Sequence, residues 1–198
     1  MNILITGGSN GLGQALATHL DTPENTLWIL DKDKPKHNTQ CPHIACDFLN
    51  PNAITLIEHA LPQIPFDMII ISAGISAVGP FEKIPPQSIQ NVLTINTTFP
   101  ILLTHHLLKT NRIAPKGRLI FISSLSYFTS YPGASIYAAS KDALVTFAKS
   151  IKKPLKDKNI TVQVATPGPI NTKHAQQYAP PNSTAKGRAN PKKVAKTI

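Results

Sequence analysis

Short, almost continuously apolar runs alternate along this sequence with segments of helix length. Strands that are buried on both faces have this character, because neither side of the strand then needs polar residues. A regular alternation of such strands with helices is typical of a doubly wound, Rossmann-like α/β fold. We therefore predict a parallel sheet of about six strands with helices on both faces. The predicted strands are residues 2–6, 26–30, 43–46, 67–72, 117–123 and 160–166.

Helices are predicted between these strands, and they cover residues 12–20, 52–61, 86–110 and 135–152. Pro100 lies inside the third helix and is expected to kink it, and Pro154 is expected to end the fourth helix or to bend its last turn. The sequence contains no internal repeat and no linker, so residues 1–198 are predicted to form a single domain. In such a sheet the ligand lies beyond the carboxyl ends of the strands.

A glycine-rich turn follows the first predicted strand and opens the first helix. Gly7 permits a tight turn, Gly11 leaves space for a pyrophosphate to approach the backbone, and Gly13 allows the helix to pack closely on the strand. The free N–H groups and the dipole at the start of the helix favour a phosphate there. A purely structural loop is the alternative interpretation. The residues predicted to bind a dinucleotide at this turn are Gly7, Ser9, Asn10, Gly11, Leu12 and Gly13.

The second predicted strand leads into Asp31. A carboxylate at this position can accept hydrogen bonds from both ribose hydroxyls of NAD, and it repels the additional phosphate of NADP. The neighbouring Lys32 would instead favour that phosphate, whereas Asn10 adds no positive charge to the turn. The sequence therefore favours NAD, with NADP possible. The alternative for Asp31 is a loop carboxylate that faces water.

Tyr137 and Lys141 are four residues apart in the fourth predicted helix and so share one of its faces. A phenol has an ordinary pKa near 10, and a nearby ammonium group favours the phenolate and lowers that pKa. The tyrosine can then give or take a proton at neutral pH. Ser124 follows the fifth predicted strand, where its hydroxyl can reach a ligand above the sheet, and Asn96 lies within the long third helix.

Together, the glycine turn, Asn96, Ser124, Tyr137 and Lys141 resemble the active site of the short-chain dehydrogenase/reductase family. The resemblance implies that the serine hydrogen-bonds the substrate carbonyl and that the tyrosine protonates the carbonyl oxygen or removes its proton. It also implies that the lysine holds the nicotinamide ribose and lowers the tyrosine pKa, while the asparagine supports a water in the proton relay. These four residues are the predicted catalytic residues.

Further segments are similar to the family and extend the resemblance over about residues 1–172. Asp47 and Phe48 resemble the pair beside the adenine ring, and residues 167–172 resemble the segment that contacts the nicotinamide carboxamide. Where the family usually has Asn-Asn-Ala-Gly after the fourth strand, this chain has Ile71-Ser72-Ala73-Gly74. The glycine turn, Asp31, Tyr137 and Lys141 are already predicted to bind the cofactor. The resemblance adds eight further predicted cofactor-binding residues, which are Asp47, Phe48, Ala73, Gly74, Pro167, Gly168, Ile170 and Thr172.

The family usually continues through another helix and a seventh strand. Residues 173–198 are therefore expected to form a substrate lid and the start of an incomplete C-terminal region, and the sixth strand is expected to lie at an exposed edge of the sheet. We also expect a homodimer or a higher homo-oligomer. The predicted function is hydride transfer between nicotinamide and the carbon of a secondary alcohol or ketone. A catalytically silent dinucleotide-sensing protein of the same fold is the alternative.

Composition and charge favour no other class of partner. The formal net charge is +10, but the lysines are dispersed and no aromatic residues interleave with them, so we expect no nucleic-acid partner. The sequence has no run of about 18 apolar residues and no visible secretory signal, which predicts no membrane span and a cytoplasmic location. Neither the histidines nor Cys41 and Cys46 show metal-ligand spacing, so we expect no metal.

Overall fold

The computed structural model describes residues 1–35, 41–126, 133–178 and 186–198. Within these residues six strands form one parallel sheet in the order β3-β2-β1-β4-β5-β6, which confirms the predicted doubly wound α/β fold. β3 and β6 lie at the two edges of the sheet. The strands are β1 (Asn2–Thr6), β2 (Thr26–Asp31), β3 (His43–Ala45), β4 (Phe66–Ile71), β5 (Ile113–Ile122) and β6 (Thr161–Ala165).

The described helices lie between the strands and after β6. In chain order they are α1 (Gly11–Leu20), α2 (Ala53–Ala60), a 3-10 turn (Phe81–Lys83), α3 (Pro86–Leu93), a π-helical segment (Thr94–Thr98), α4 (Phe99–Lys109), α5 (Ser135–Lys156), α6 (Lys173–Gln177) and α7 (Pro191–Ala195). Of these helices, none is long and apolar enough to span a membrane.

Pro100 and Pro154, the two prolines expected to perturb helices, have different effects. The helical hydrogen bonding widens to the π form directly before Pro100, where the N–H of Phe99 donates to the carbonyl of Thr94. A proline cannot donate the backbone bond of a regular turn, so a local change of helix geometry is expected at this point. Pro154, however, does not end its helix. α5 continues through Pro154 to Lys156, because Leu155 in this last turn is buried in the core.

β1 shows why the strands read as continuous apolar runs. Ile3 and Ile5 pack into the cluster under α1 and α7, whereas Leu4 points to the opposite face, where α2, α4 and α5 cover the sheet. Neighbouring residues of a strand face opposite sides of a sheet, so both faces need apolar side chains here. The two clusters hold the strand ends that carry the candidate site in fixed register.

Candidate functional site

The carboxyl ends of the two central strands are joined through the side chain of Thr6. Its Oγ1 accepts hydrogen bonds from the backbone N–H groups of Ser72 at 3.1 Å and of Ala73 at 3.2 Å, and Thr6 is fully buried. This threonine therefore supports the segment in which Ser72 replaces the asparagine that the family usually has. These two hydrogen bonds hold the chain after β4 against the end of β1.

The glycine turn has the close contacts that its spacing predicts. Gly7 and Gly11 have positive φ angles of 71° and 57°, which favour glycine. A β-carbon built on Gly13 would lie 2.1 Å from the carbonyl oxygen of Gly7, so no larger residue fits there. The turn lets the N-terminus of α1 approach β1 and leaves a backbone cradle at the helix start, which fits a diphosphate group.

Asp31 is buried at the end of β2 and is held by the glycine turn. Its Oδ2 accepts the backbone N–H of Ser9 at 3.0 Å, and its Oδ1 accepts that of Asp33 at 3.1 Å. The Ser9 hydroxyl donates to the Asp33 carbonyl at 2.5 Å, and Asn10 Nδ2 donates to the Asp33 carboxylate at 3.3 Å. Each Asp31 oxygen keeps a further lone pair for a ligand hydroxyl.

The predicted pair at the adenine side is divided between surface and core. Asp47 is exposed, and its Oδ1 accepts the backbone N–H of Leu49 at 2.9 Å. Phe48 is buried, and its ring stacks on that of Phe99 with 4.0 Å between centroids. At position 48, therefore, only the backbone remains as a group that could contact an adenine.

Asn96 is fully buried in the π-helical segment, and its amide makes three hydrogen bonds. Oδ1 accepts the backbone N–H of Ile75, while Nδ2 donates to the Ile75 carbonyl and to Oγ of Ser140, each at 2.9 Å. Ser140 Oγ in turn donates to the carbonyl of Tyr137 at 2.7 Å. Asn96 thus fixes the chain after β4 to the helix that carries Tyr137 and Lys141.

Lys141 lies beneath Tyr137 on α5, as their spacing predicts. Its Nζ is 5.9 Å from the centroid of the Tyr137 ring and donates to the carbonyl of Ile122 at 2.9 Å. The side chain is only 3% exposed, and burial lowers the pKa of Lys141 from 10.5 to about 8. A β-carbon built on Gly74 would be 3.2 Å from this Nζ, so Gly74 provides the space that the ammonium group occupies.

Ser124 follows β5 and lies half-buried at the same edge of the sheet. Its Oγ accepts the backbone N–H of Ser126 at 3.2 Å, and its O–H can still donate to a ligand oxygen. The neighbouring Leu125 donates its N–H to the carbonyl of Pro167 at 3.0 Å. This bond joins the strand end that carries Ser124 to the segment after β6.

Residues 167–172 connect the sixth strand to the glycine turn. The side chain of Thr172 caps α6 by accepting the N–H of Ala175, and its methyl carbon would be 3.4 Å from a β-carbon built on Gly11. Ile170 pairs with Ala189 in a short parallel bridge, and Gly168 is exposed with open space around it. The predicted carboxamide segment therefore lies beside the predicted phosphate turn.

The structure adds His174, which sequence reasoning missed, to this group. Its ring centroid lies 6.4 Å from that of Tyr137 and 4.9 Å from that of Tyr178. Burial and, to a smaller extent, the charge of Lys141 lower the pKa of His174 to about 4. The one available sequence signal was its place two residues after Thr172, at the start of the segment predicted to cover the substrate.

The two ends of the predicted lid lie in different places. α6 covers the Tyr137 side, whereas α7 packs on α1, with Ala195 buried in the cluster under that helix. Residues 179–185 of the predicted lid lie outside the described residues. Closure of the lid over a substrate stays a prediction.

A cavity of about 440 Å³ opens beside α6. Tyr178 lines it on one side, and the chain from Ser76 to Ser88 lines it on the other. This wall combines apolar residues such as Val78 with the polar Ser76 and Ser88, and Lys83 adds one positive charge. Its volume lies within the range of small-molecule sites.

Comparison with known proteins gives consistent results. The sequence profile of the family described as short chain dehydrogenase matches residues 1–183. The chain is 27% identical over 175 residues to the 3-oxoacyl-[acyl-carrier-protein] reductase MabA of Mycobacterium tuberculosis, covering 86% of this chain and 70% of that protein. It is 28% identical over 182 residues to the 3-oxoacyl-[acyl-carrier-protein] reductase FabG of Aquifex aeolicus, covering 85% and 73%.

The solved structures agree. The crystal structure of a short chain dehydrogenase family protein from Francisella tularensis superposes with a TM-score of 0.88 at 26% identity, over 99% of this chain and 88% of that one. The structure of BdcA in complex with NADPH has the same fold, with a TM-score of 0.84 at 24% identity, over 99% and 84% of the two chains.

Proposed function

We propose, from the premise that this chain belongs to the short chain dehydrogenase family, that Tyr137 is the acid and base of its reaction and that Ser124, Lys141 and Asn96 assist it. The chain is an NAD(P)-dependent oxidoreductase, as its named relatives are reductases of that family. The observation that carries the proposed roles is the packing of Lys141 Nζ beneath the Tyr137 ring, 5.9 Å from its centroid.

The side chains divide the chemistry between them. The bound nicotinamide cofactor supplies or accepts the hydride. In the reductive direction, the Ser124 O–H donates to the substrate oxygen and polarises the carbonyl, while the Tyr137 phenol gives that oxygen a proton. The Lys141 ammonium stabilises the resulting phenolate through its positive charge. In the oxidative direction, the phenolate takes the proton back from the alcohol.

In this scheme Asn96 positions neighbouring residues and does not itself transfer a proton. Its amide holds the Ile75 backbone and, through Ser140, the first turn of α5. We propose that the water of the family's proton relay also binds at Asn96. The amide keeps Tyr137 at a fixed distance from the chain that follows β4.

For the cofactor, the proposal is a preference for NAD over NADP. Its support is the buried Asp31 carboxylate, which two backbone N–H groups hold at the end of β2. The carboxylate offers lone pairs to the two ribose hydroxyls, and its charge opposes an additional phosphate group. The predicted contacts of Asp47, Phe48 and residues 167–172 with the dinucleotide are part of the same proposal.

The proposal also includes self-association. β6 lies at the edge of the sheet with Thr161 and Gln163 exposed, and such an edge is prone to associate with another chain. A homodimer or a higher homo-oligomer would cover it. Sedimentation equilibrium measures this directly, and a monomer at micromolar concentration would contradict it.

The decisive experiment replaces Tyr137 with phenylalanine. Loss of the hydroxyl should lower kcat for ketone reduction by about 10²- to 10⁴-fold, because general acid catalysis is removed. Binding of NADH, followed by its fluorescence, should persist because the ring remains in place. Unchanged turnover contradicts the role of Tyr137. Dinucleotide binding by the parent with no turnover of any alcohol or ketone would favour a silent dinucleotide-binding protein instead.

A further inference from the structure

His174 carries a polar atom that the reaction scheme above leaves unexplained. Its Nε2 is buried and has no hydrogen-bond partner among the described residues. A buried nitrogen without a partner costs free energy, so such an atom in a functional cleft indicates a group that arrives with a ligand. His174 lies in α6, directly after the segment predicted to contact the nicotinamide.

The His174 ring lies next to Tyr137 and next to a residue of the cavity wall. The His174 ring lies 6.4 Å from the Tyr137 ring on one side and 4.9 Å from the Tyr178 ring on the other. Tyr178 also lines the cavity of about 440 Å³. A small molecule whose carbonyl meets Tyr137 and whose remaining part extends to Tyr178 would lie close to the His174 ring.

The charges at this place favour an oxygen atom as the missing partner. The imidazole is neutral at neutral pH, because burial and the charge of Lys141 hold the pKa of His174 near 4. The same Lys141 charge repels a cationic group of a substrate. A carbonyl or hydroxyl oxygen can accept from Nε2–H or, in the hydroxyl case, donate to the unprotonated nitrogen.

We propose that His174 determines specificity by hydrogen-bonding a second oxygen atom of the substrate, so that the preferred ketones carry a further carbonyl or hydroxyl oxygen close to the reacting carbon. The inference rests on the proposed function, since Tyr137 must mark the position of the reacting carbonyl. The rest of the substrate would meet both apolar and polar groups, because the cavity wall contains Val78 and Ile84 beside Lys83.

The test compares pentane-2,4-dione with pentan-2-one, two ketones of equal chain length that differ by the second oxygen. The ratio of their kcat/KM values is measured for the parent, for His174→Phe and for His174→Gln. Phenylalanine keeps a ring but has no polar atom, and the Gln amide can reach the position of Nε2. The ratio should fall about tenfold in His174→Phe, as expected for one lost hydrogen bond, and should partly recover in His174→Gln.

Gln176→Leu is the matched control, because Gln176 is exposed on the same helix. It should keep the parent's ratio. An equal ratio in the parent and in His174→Phe overturns the inference while leaving the role of Tyr137 intact. A uniform loss with both ketones in His174→Phe, accompanied by weaker dinucleotide binding, also overturns it, because the nicotinamide would then be the partner of Nε2.

A second measurement does not depend on turnover. In the complex of Tyr137→Phe with the dinucleotide, addition of pentane-2,4-dione should shift the ¹⁵N resonance of His174 Nε2, and pentan-2-one should not. Equal shifts, or no shift at saturating dione, overturn the inference. If this shift is seen but the parent turns over neither ketone, the proposed reaction fails and the binding role of His174 stands.

Discussion

Replacing Lys141 with methionine should stabilise the ligand-free protein at neutral pH while it abolishes turnover. Burial lowers the pKa of this lysine from 10.5 to about 8. This shift means that burying the protonated ammonium group lowers the free energy of unfolding by about 3 kcal/mol. Methionine removes that cost and fills similar space, but it also loses the hydrogen bond to the carbonyl of Ile122. A lost bond of this kind costs about 1 kcal/mol, so the net gain is about 2 kcal/mol.

The pH dependence of this stability difference shows whether the buried charge of Lys141 causes it. Below pH 8, Lys141 is protonated in both the folded and the unfolded parent, so the full penalty is present. Between pH 8 and 10.5 the unfolded chain binds more protons at this position, so the stability of the parent rises with pH. The advantage of Lys141→Met should therefore shrink by about 2 kcal/mol between pH 7 and pH 10.

Urea unfolding of both proteins at the two pH values measures this difference. Lys149→Met, measured at the same two pH values, is the control, because it removes a lysine that is exposed on the same helix. Other groups that titrate in this range cancel when the two proteins are compared. A stability gap for Lys141→Met that is the same at pH 7 and pH 10 would refute the reasoning.

Further outcomes follow from the same structure. Asp31→Ala should weaken NADH binding more than NADPH binding in a fluorescence titration, because the carboxylate that favours the ribose hydroxyls is lost; a parent that prefers NADPH contradicts the cofactor proposal. Gly13→Ala should cost about 3 kcal/mol in urea unfolding, since the added carbon would lie 2.1 Å from the Gly7 carbonyl, whereas Gly168→Ala should be neutral because nothing lies within 4 Å; equal effects would refute this. His174 should be neutral at pH 5.5 by ¹⁵N NMR, because its pKa is near 4, and a charged ring at that pH would show that the site is more open than described.

The sheet could be predicted because its information is local. Each strand is nearly uniformly apolar, and the sequence between strands has helix length, so the parallel order follows from general packing rules. The limits of the helices were less certain. Pro154 was expected to end its helix or to bend the last turn, but α5 continues to Lys156, and the burial of Leu155 favours this last turn.

The candidate site could be predicted where one element carries several of its residues. Tyr137 and Lys141 share a helix face, so their approach follows from helical spacing alone. The contact between Tyr137 and His174 joins residues from two different helices, so no local sequence pattern predicts it. Nor does sequence show that the Phe48 ring turns into the core to stack on Phe99. These features depend on long-range packing.

The hydrogen bonds of the Asn96 amide affect the order in which parts of the protein fold during synthesis. The amide joins residues that lie 21 and 44 positions away in the chain, and the second of these is in the helix that carries Tyr137. During synthesis, the chain after β4 is made long before Ser140 leaves the ribosome. A nascent chain can therefore pair its first strands early, but the candidate site forms only when α5 docks, which is a late step.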